Sequence, residues 1–474
     1  MPPQNAADGG DQLTMVVELP LGEATATFSL EKAVCSHGLF MMAPNYWDPK
    51  SKTFQRPLRL SLNLDDPDYE RSVTVKISQP CHSYQPLLQL QVLGIDSLSS
   101  QQQHSLLNQV RRMLRLSEED NRNVRDFQEI HREAKEKDFG RVFRSPTLFE
   151  DMIKCILLCN CQWSRTLSMA RALCELQWEL QHPLSSKSSV TAHNVTITQS
   201  RTPKSKDFIP KTPAGKETKR MVGGQKFHMN LANTFAEADT VIVEEVPEFK
   251  IECNDVSDCC QRAEEPRADF DQLDDLQCSA VTEPYSLSMI GNFPSPKELA
   301  SVDESLLAKR CNLGYRASRI LKLAQLVVEG GIQLGELEEA CKRPTLSSYD
   351  KLAGQLKGID GFGPFTCANV LMCMGFYHAI PSDSETIRHL KQVHAMHSTI
   401  RTVHKNLDTI YGKYAPFQFL AYWLEVWNFY EDWFGKMSEM DPTKYKRITA
   451  ANMRPQKNAQ SKRIKMSTTE KNLQ

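Results

Sequence analysis

Hydrophobic and polar residues alternate along the first part of the chain. This alternation is typical of antiparallel strands with one buried and one exposed face. The alternating segments are 58–62, 73–77 and 88–92. Two further segments, 15–19 and 24–28, are predicted to be extended because they lie on either side of a Pro-Leu-Gly break. The pattern predicts an antiparallel β-sheet domain over residues 13–98.

From about residue 99 the apolar residues recur every three or four positions, which is the spacing of an amphipathic helix. This spacing continues through 99–181 and returns in 285–435. The two segments are predicted to form one helical domain in two parts. The whole chain is therefore predicted to be an α+β protein.

Three segments lack this periodicity and are predicted to be disordered. Residues 1–12 are rich in Pro, Gly, Asn and Asp. Residues 182–284 begin rich in Ser, Thr, Lys and Pro and then become acidic, so they are interpreted as a long insertion in the helical domain. Residues 436–474 form a basic tail, which we interpret as a weak DNA tether or a nuclear address. A nuclear localisation is predicted on this basis.

The composition is that of a soluble globular protein, with 40% hydrophobic and 24% charged residues. Lys and Arg number 57 against 58 Asp and Glu, so any affinity for nucleic acid has to come from a local patch. No N-terminal apolar run is long enough for a signal peptide or a membrane span. The 14 scattered cysteines favour free thiols in a reducing compartment.

A turn with two glycines, Gly361 and Gly363, lies within the second helical part. Predicted helices flank the turn within 348–375, and Pro364 suits the first position of the second helix. Glycines allow a tight turn with positive φ and leave no side chain between the turn's N–H groups and a ligand. These N–H groups and the dipole of the following helix are suited to a phosphate. The segment is predicted to hold a DNA backbone phosphate without reading base sequence.

An acidic residue, Asp383, follows this hairpin and precedes another predicted helix over 385–395. An Asp at a helix start is commonly only a structural cap. The alternative is a catalytic carboxylate placed beside the bound phosphate, and the hairpin upstream favours it.

The hairpin and Asp383 together resemble the helix-hairpin-helix, Gly-Pro-Asp superfamily of base-excision DNA glycosylases. The resemblance implies an all-helical domain of that type, with Asp383 essential for cleavage of the glycosidic bond. It also implies that the partner is double-stranded DNA with a flipped, damaged base. A monomer is expected.

Two other segments resemble the 8-oxoguanine branch of this superfamily, and the resemblance gives each a role in the opened duplex. Around the turn after the helix at 148–159, it implies that Asn160 and Arg165 contact the base left behind. In the string Leu-Gly-Tyr-Arg-Ala, it implies that Tyr315 wedges into the base stack and that Arg316 contacts the orphaned base. The alternatives are a polar turn between helices and a structural Gly-Tyr turn with a surface Arg.

The sequence departs from the bifunctional members of the superfamily at the position of their catalytic lysine, which is Phe365 here. Phe cannot form a Schiff base, so hydrolysis by water is predicted, as in the 3-methyladenine branch. The resemblance places Phe365 and Trp423 in the base pocket, although Trp423 fits a purely structural core equally well. Glu385 replaces a His of the 8-oxoguanine branch, which puts that base in doubt as the substrate.

The function predicted from the sequence is a monofunctional DNA glycosylase that acts on a damaged base, with a preference for purines by analogy. Two alternatives stay open: a damaged-DNA-binding protein without catalysis, and a bifunctional 8-oxoguanine glycosylase/lyase that uses another amine.

No cofactor or metal ion is predicted. Some relatives ligate an iron–sulfur cluster with four C-terminal cysteines, but the last cysteine here is Cys373. Four earlier cysteines, Cys155, Cys159, Cys161 and Cys174, are predicted to be buried thiols and not a zinc site because they have helical spacing.

Overall fold

The structure is a computed structural model. It describes residues 13–63, 65–66, 69, 71–80, 86–183, 290–341, 345–449 and 452–453. The predicted disordered segment 1–12, and all but the first two residues of the predicted insertion 182–284, lie outside the described residues. Within these ranges no helix has both the length and the apolar character that a bilayer crossing requires.

The N-terminal part contains an antiparallel sheet with the strand order β1-β5-β4-β3-β2. The strands are β1 (Thr14–Pro20), β2 (Tyr46–Asp48), β3 (Thr53–Arg59), β4 (Ser72–Ser78) and β5 (Leu87–Leu93). In β4 and β5, every second side chain is buried, as the alternating sequence requires.

Two sequence predictions in this region are wrong in detail. The predicted extended segment 24–28 lies mostly in a short 3-10 helix, Gly22–Thr27. The predicted strand at 58–62 is instead the end of β3, which stops at Arg59. The sheet is nevertheless antiparallel and precedes the helices, so the α+β prediction is confirmed.

Helices form most of the other residues that the structure describes. The first group is α1 (Leu30–Val34), α2 (Ser100–Met113), α3 (Glu118–Ile130), α4 (Arg132–Glu136), α5 (Leu148–Leu158) and α6 (Trp163–Gln181). The second group is α7 (Pro296–Ala300), α8 (Glu304–Arg310), α9 (Arg316–Val328), α10 (Leu334–Glu339), α11 (Leu346–Lys357), α12 (Pro364–Met374), α13 (Ser384–Val393), α14 (Val403–Tyr411) and α15 (Gln418–Phe434).

The segment after α15 corrects the prediction of a disordered tail from residue 436. Met437–Glu439 and Pro442–Arg447 form 3-10 helices, and the Tyr445 side chain is buried. Backbone carbonyls of this segment accept from two indoles, those of Trp47 and Trp163. The basic composition misled the prediction because the few apolar residues of this segment are the ones that pack against the sheet domain.

Buried ion pairs join the sheet to both groups of helices. Arg56 on β3 forms a two-pronged pair with Glu150 on α5, with nitrogen–oxygen distances of 3.1 and 2.8 Å. Arg59 on the same strand lies 2.9 Å from Glu298 on α7, which follows the long insertion in sequence. The sheet and the two helical segments therefore share one interior.

Candidate active site

The glycine turn connects α11 to α12, and only one of its two glycines has a left-handed backbone. Gly361 has a φ of +88°, and a Cβ there would lie 2.5 Å from Cδ of Arg319. Gly363 has a φ of −78°, and a Cβ there would meet nothing within 4 Å. Gly361 is thus required by the turn itself, whereas Gly363 keeps the space in front of α12 open.

Several N–H groups at this turn have no backbone acceptor within the described part of the chain. Among the described residues, no backbone carbonyl accepts from the N–H of Gly361 or of Gly363. The N–H of Phe365 lies in the first turn of α12, where helical geometry provides no internal acceptor. With the positive end of the helix dipole behind them, these groups are suited to a phosphate.

Asp383 is the N-cap of α13, and its Oδ1 accepts from the N–H of Thr386 at 2.9 Å. The carboxyl is also largely buried. Burial raises the pKa of Asp383 above its ordinary value, and the hydrogen bonds from Thr386 offset only part of this effect. The capping function and a chemical function are therefore compatible in one side chain.

The Asp383 carboxyl lines a cavity of about 200 Å³ that also contains Phe365 and Trp423. The structure thus brings together three residues that the sequence predicts in the site. The cavity is smaller than the roughly 300–1,000 Å³ typical of pockets for drug-sized ligands, so it suits a single small planar group. Its other lining residues include His37, Leu158, Asn369, Glu385, Phe419, Trp427, Tyr430 and Ile448.

Aromatic rings form much of the cavity wall. Trp423 stacks on Phe419 with a centroid distance of 5.9 Å and an interplanar angle of 8°. Its indole Nε1 donates to the carbonyl of Ser36 at 2.9 Å, which fixes the ring against the N-terminal domain. Flat rings held in this way provide stacking surfaces for a planar base.

His37 lines the cavity from the N-terminal domain and was missed by the sequence analysis. Its Nδ1 accepts from the N–H of Leu39 at 3.3 Å. Burial and the charge of Arg115 lower the pKa of His37 to about 3, so the ring is neutral and its Nε2 carries the proton. The sequence around His37 has no periodicity that would mark this residue. His37 becomes part of the cavity only because α15 packs against it in the folded protein.

Glu385 also lines the cavity, and its carboxylate is held by two partners. Arg388 pairs with it through two nitrogens, and the hydroxyl of Tyr430 donates to the same carboxylate. Burial and the charge of Glu385 raise the pKa of Tyr430 well above its ordinary value. The cavity therefore contains a second acidic side chain in addition to Asp383, and this one is paired with a cation.

The residues predicted to enter the duplex come from the Asn160 turn with the following start of α6, and from the turn before α9, and these two segments contact each other. Asn160 is exposed and has a positive φ of 46°. The guanidinium of Arg165 donates to the carbonyl of Asn312 at 3.1 Å. Tyr315 is 50% exposed, and its hydroxyl lies 3.5 Å from the carbonyl oxygen of Cys159. Two segments that are distant in sequence thus form one surface feature.

Arg316 differs from the expected outward position. Its side chain is only 2% exposed, and it donates to the carbonyls of Cys159 and Asn160. In this structure Arg316 supports the turn that carries Asn160, and its contact with an orphaned base stays a prediction. The same turn reaches the hairpin helix, because Sγ of Cys159 lies 3.0 Å from Oγ1 of Thr366 on α12.

No known protein family matches the sequence, and no curated protein matches it. Among solved structures, the chain is similar to a 3-methyladenine DNA-glycosylase from Archaeoglobus fulgidus, at 12% identity and a TM-score of 0.43, over 88% of this chain and 99% of that one. It is also similar to an 8-oxoguanine glycosylase/lyase from Clostridium acetobutylicum. The apo form gives 10% identity and a TM-score of 0.41, over 81% of this chain and 92% of that one. The complex of that protein with dsDNA containing cytosine opposite to 8-oxoG gives 10% identity and a TM-score of 0.43, over 85% of this chain and 92% of that one.

Proposed function

We propose that this protein is a monofunctional DNA glycosylase that binds a damaged base in the cavity and hydrolyses its N-glycosidic bond. The observation that carries the proposal is the position of Asp383. Its largely buried carboxyl lines an aromatic cavity together with Phe365, which belongs to the first turn of α12.

The proposed reaction requires the base to leave the duplex, which costs a few kcal/mol and least for a damaged base. The N–H groups at the start of α12 would hold a backbone phosphate while the base stacks against Trp423. Tyr315, exposed beside the Asn160 turn, is positioned to fill the gap in the duplex.

Cleavage of the bond leaves positive charge on the deoxyribose, as in glycoside hydrolysis. The ionised carboxylate of Asp383 would stabilise this charge and orient or deprotonate the attacking water. Among the described residues that line the cavity there is no lysine. This supports attack by water and not by an amine, in agreement with Phe365 at the lysine position.

The test is a panel of duplexes, each with one damaged base, incubated with an excess of the full-length protein. We expect base release from at least one duplex, with strand breaks that appear only after alkali treatment. Breaks without alkali, or a covalent adduct trapped by borohydride, would instead indicate a bifunctional lyase.

Asp383→Asn separates catalysis from binding because Asn also caps helices. The single-turnover rate should fall by roughly 10²–10⁴-fold, whereas DNA affinity should stay within a few-fold. Asp303→Asn is the matched control, since Asp303 caps α8 outside the cavity. A protein that binds damaged DNA but releases no base before or after substitution would be a binder without catalysis.

A further inference from the structure

A second polar cluster lies where α13, α14 and α15 meet, outside the cavity. Nε2 of His389, at 3.3 Å, and Nε2 of His394, at 2.8 Å, both face the same carboxylate oxygen of Glu425. The hydroxyl of Tyr411 lies 2.6 Å from this oxygen. None of these four residues lines the cavity that contains Asp383.

The remaining contacts complete a compact group of four potential ligand atoms. The Tyr411 hydroxyl lies 3.1 Å from Nε2 of His394 and 3.4 Å from Nε2 of His389. Ligand atoms about 2.0 Å from a tetrahedral Zn²⁺ are separated from one another by about 3.3 Å. Five of the six separations among these four atoms are 2.6 to 3.4 Å. The ligand atoms of His389, His394 and Glu425 all lie within 4.8 Å of one another, so side-chain rotations would accommodate the ion.

Three polar atoms converge on the oxygen Oε2 of Glu425. They are the Nε2 atoms of His389 and His394 and the Tyr411 hydroxyl, which donates to it.

We propose that His389, His394 and Glu425 form a structural zinc site, with the Tyr411 hydroxyl or a water molecule as the fourth ligand. Two imidazoles and one carboxylate are a ligand set that suits Zn²⁺. His389 is fully buried and approaches the cluster through Nε2. His394 and Glu425 are partly exposed, which gives the ion a path from solvent.

The zinc site would fasten the C-terminal end of α13 to α14 and α15. The opposite end of α13 begins at Asp383. A bound ion would thus fix the helix that presents the candidate catalytic carboxyl, without contacting the cavity. The two histidines are five positions apart, and His394 lies beyond the last helical residue Val393. The sequence therefore shows no helical pair of ligands.

The test uses the full-length protein, stripped with a chelator and then given Zn²⁺ alone or Co²⁺ alone. We expect one Zn²⁺ per chain by elemental analysis, a higher thermal midpoint with Zn²⁺, and the visible absorption of tetrahedral Co²⁺. His394→Ala and Glu425→Gln should each weaken zinc binding by on the order of 100-fold. His397→Ala, an exposed His of the same region, should leave binding unchanged.

Equal zinc binding by the unaltered protein and by both ligand variants would overturn the proposal, as would an octahedral Co²⁺ spectrum. If His394→Ala does not fold, Glu425→Gln carries the comparison because it preserves the side-chain volume. The Co²⁺ spectrum tests the coordination geometry in the unaltered protein and therefore does not depend on whether a variant folds. None of these measurements depends on glycosylase activity.

Discussion

At the scale of single residues, two effects shift the ionisation of Asp383 in opposite directions. As an N-cap it accepts from the N–H of Thr386, and this interaction favours the ionised form. As a wall of the aromatic cavity it is largely buried, and burial disfavours that form. Burial is the larger effect, since the pKa of Asp383 is raised. The fold therefore has to bear the cost of a partly desolvated charge.

We predict that Asp383→Asn raises thermal stability at neutral pH while it abolishes most of the activity. A raised folded-state pKa means that the stabilisation linked to the protonated carboxyl is complete below about pH 3.9, the unfolded value, and is lost as pH rises through the folded value. Asn imitates the protonated form. In thermal melts, the stability of Asp383→Asn relative to the unaltered protein should thus be near zero below about pH 4 and should increase as the pH rises above this value.

Asp303→Asn is expected to show the opposite sign. Hydrogen bonds from Leu306 and Ser305 lower the pKa of Asp303, so its ionised form stabilises the fold and Asn should lose that contribution as pH rises. An Asp383→Asn variant that is less stable than the unaltered protein at pH 7 would argue against burial as the dominant effect.

At the scale of elements, the hairpin between α11 and α12 shows that its two glycines serve different purposes. Gly361 has positive φ and lies against Arg319, so the backbone could not be built with a Cβ there. Gly363 has an ordinary φ, and a Cβ there would meet no other atom within 4 Å. The absence of a side chain at Gly363 therefore matters for a ligand that approaches the N-terminus of α12, and not for the fold.

The pair of variants Gly361→Ala and Gly363→Ala should separate stability from DNA affinity. Gly361→Ala should destabilise the fold by at least about 1–2 kcal/mol, the cost of a left-handed non-glycine residue. Gly363→Ala should cost about 1 kcal/mol or less, because Ala is only a poorer N-cap. Chemical unfolding and duplex-binding titrations measure the two effects, and Gly363→Ala should lose affinity because its methyl group lies in front of the α12 N–H groups.

The C-terminal 3-10 helix Pro442–Arg447 is a second informative element. Tyr445 packs edge-to-face on Phe40 at 5.5 Å, and its hydroxyl is buried with no partner among the described residues. Removal of the whole ring should leave a void, whereas removal of the hydroxyl alone should not.

We therefore predict that Tyr445→Ala lowers the free energy of unfolding by about 3–5 kcal/mol. Tyr445→Phe should be neutral or stabilise by up to about 1 kcal/mol, because it removes an unpaired buried group. The exposed neighbour Lys446 is the control, and Lys446→Ala should change little. Equal melting points for all three variants would show that this segment does not belong to the core.

At the scale of the whole molecule, buried charges connect the sheet to the helices. The carboxylate of Glu150 is shared by Arg56 and by Lys154, which lies 2.7 Å away. Burial raises the pKa of Glu150, but the two cations outweigh this effect and lower it to about 2. The network has two cations and one carboxylate, so loss of the Glu150 charge leaves both Arg56 and Lys154 buried without compensation.

Glu150→Gln is expected to destabilise the protein by about 3–5 kcal/mol at pH 7, the cost of breaking a buried ion pair. Because the folded pKa is lowered, the contribution of Glu150 is complete above the unfolded value of about 4.3 and is lost as pH falls toward 2. The difference between variant and unaltered protein should shrink over that range. Glu136→Gln, which breaks an exposed pair with Arg132, should have an effect below about 1 kcal/mol.

The sequence by itself determined what depends on neighbours along the chain. Alternation predicted β4 and β5 to within a residue or two, and helical spacing with start signals predicted α5, α11, α12 and α13. The two glycines and the proline before Phe365 predicted the hairpin, since turn chemistry is local. Asp383 could be singled out because a helix start with an acidic residue follows the hairpin and its second helix, a pair of features that resembles a known superfamily.

Only the tertiary structure decided what depends on residues far apart in sequence. It brought His37 opposite Trp423, directed Arg316 inward, and folded the segment after residue 436 onto the sheet domain. It also gathered His389, His394 and Glu425 from two helices and a helix end. Such contacts are set by how amphipathic elements pack to bury their apolar faces, and this packing leaves no periodic trace in the polar residues that it brings together.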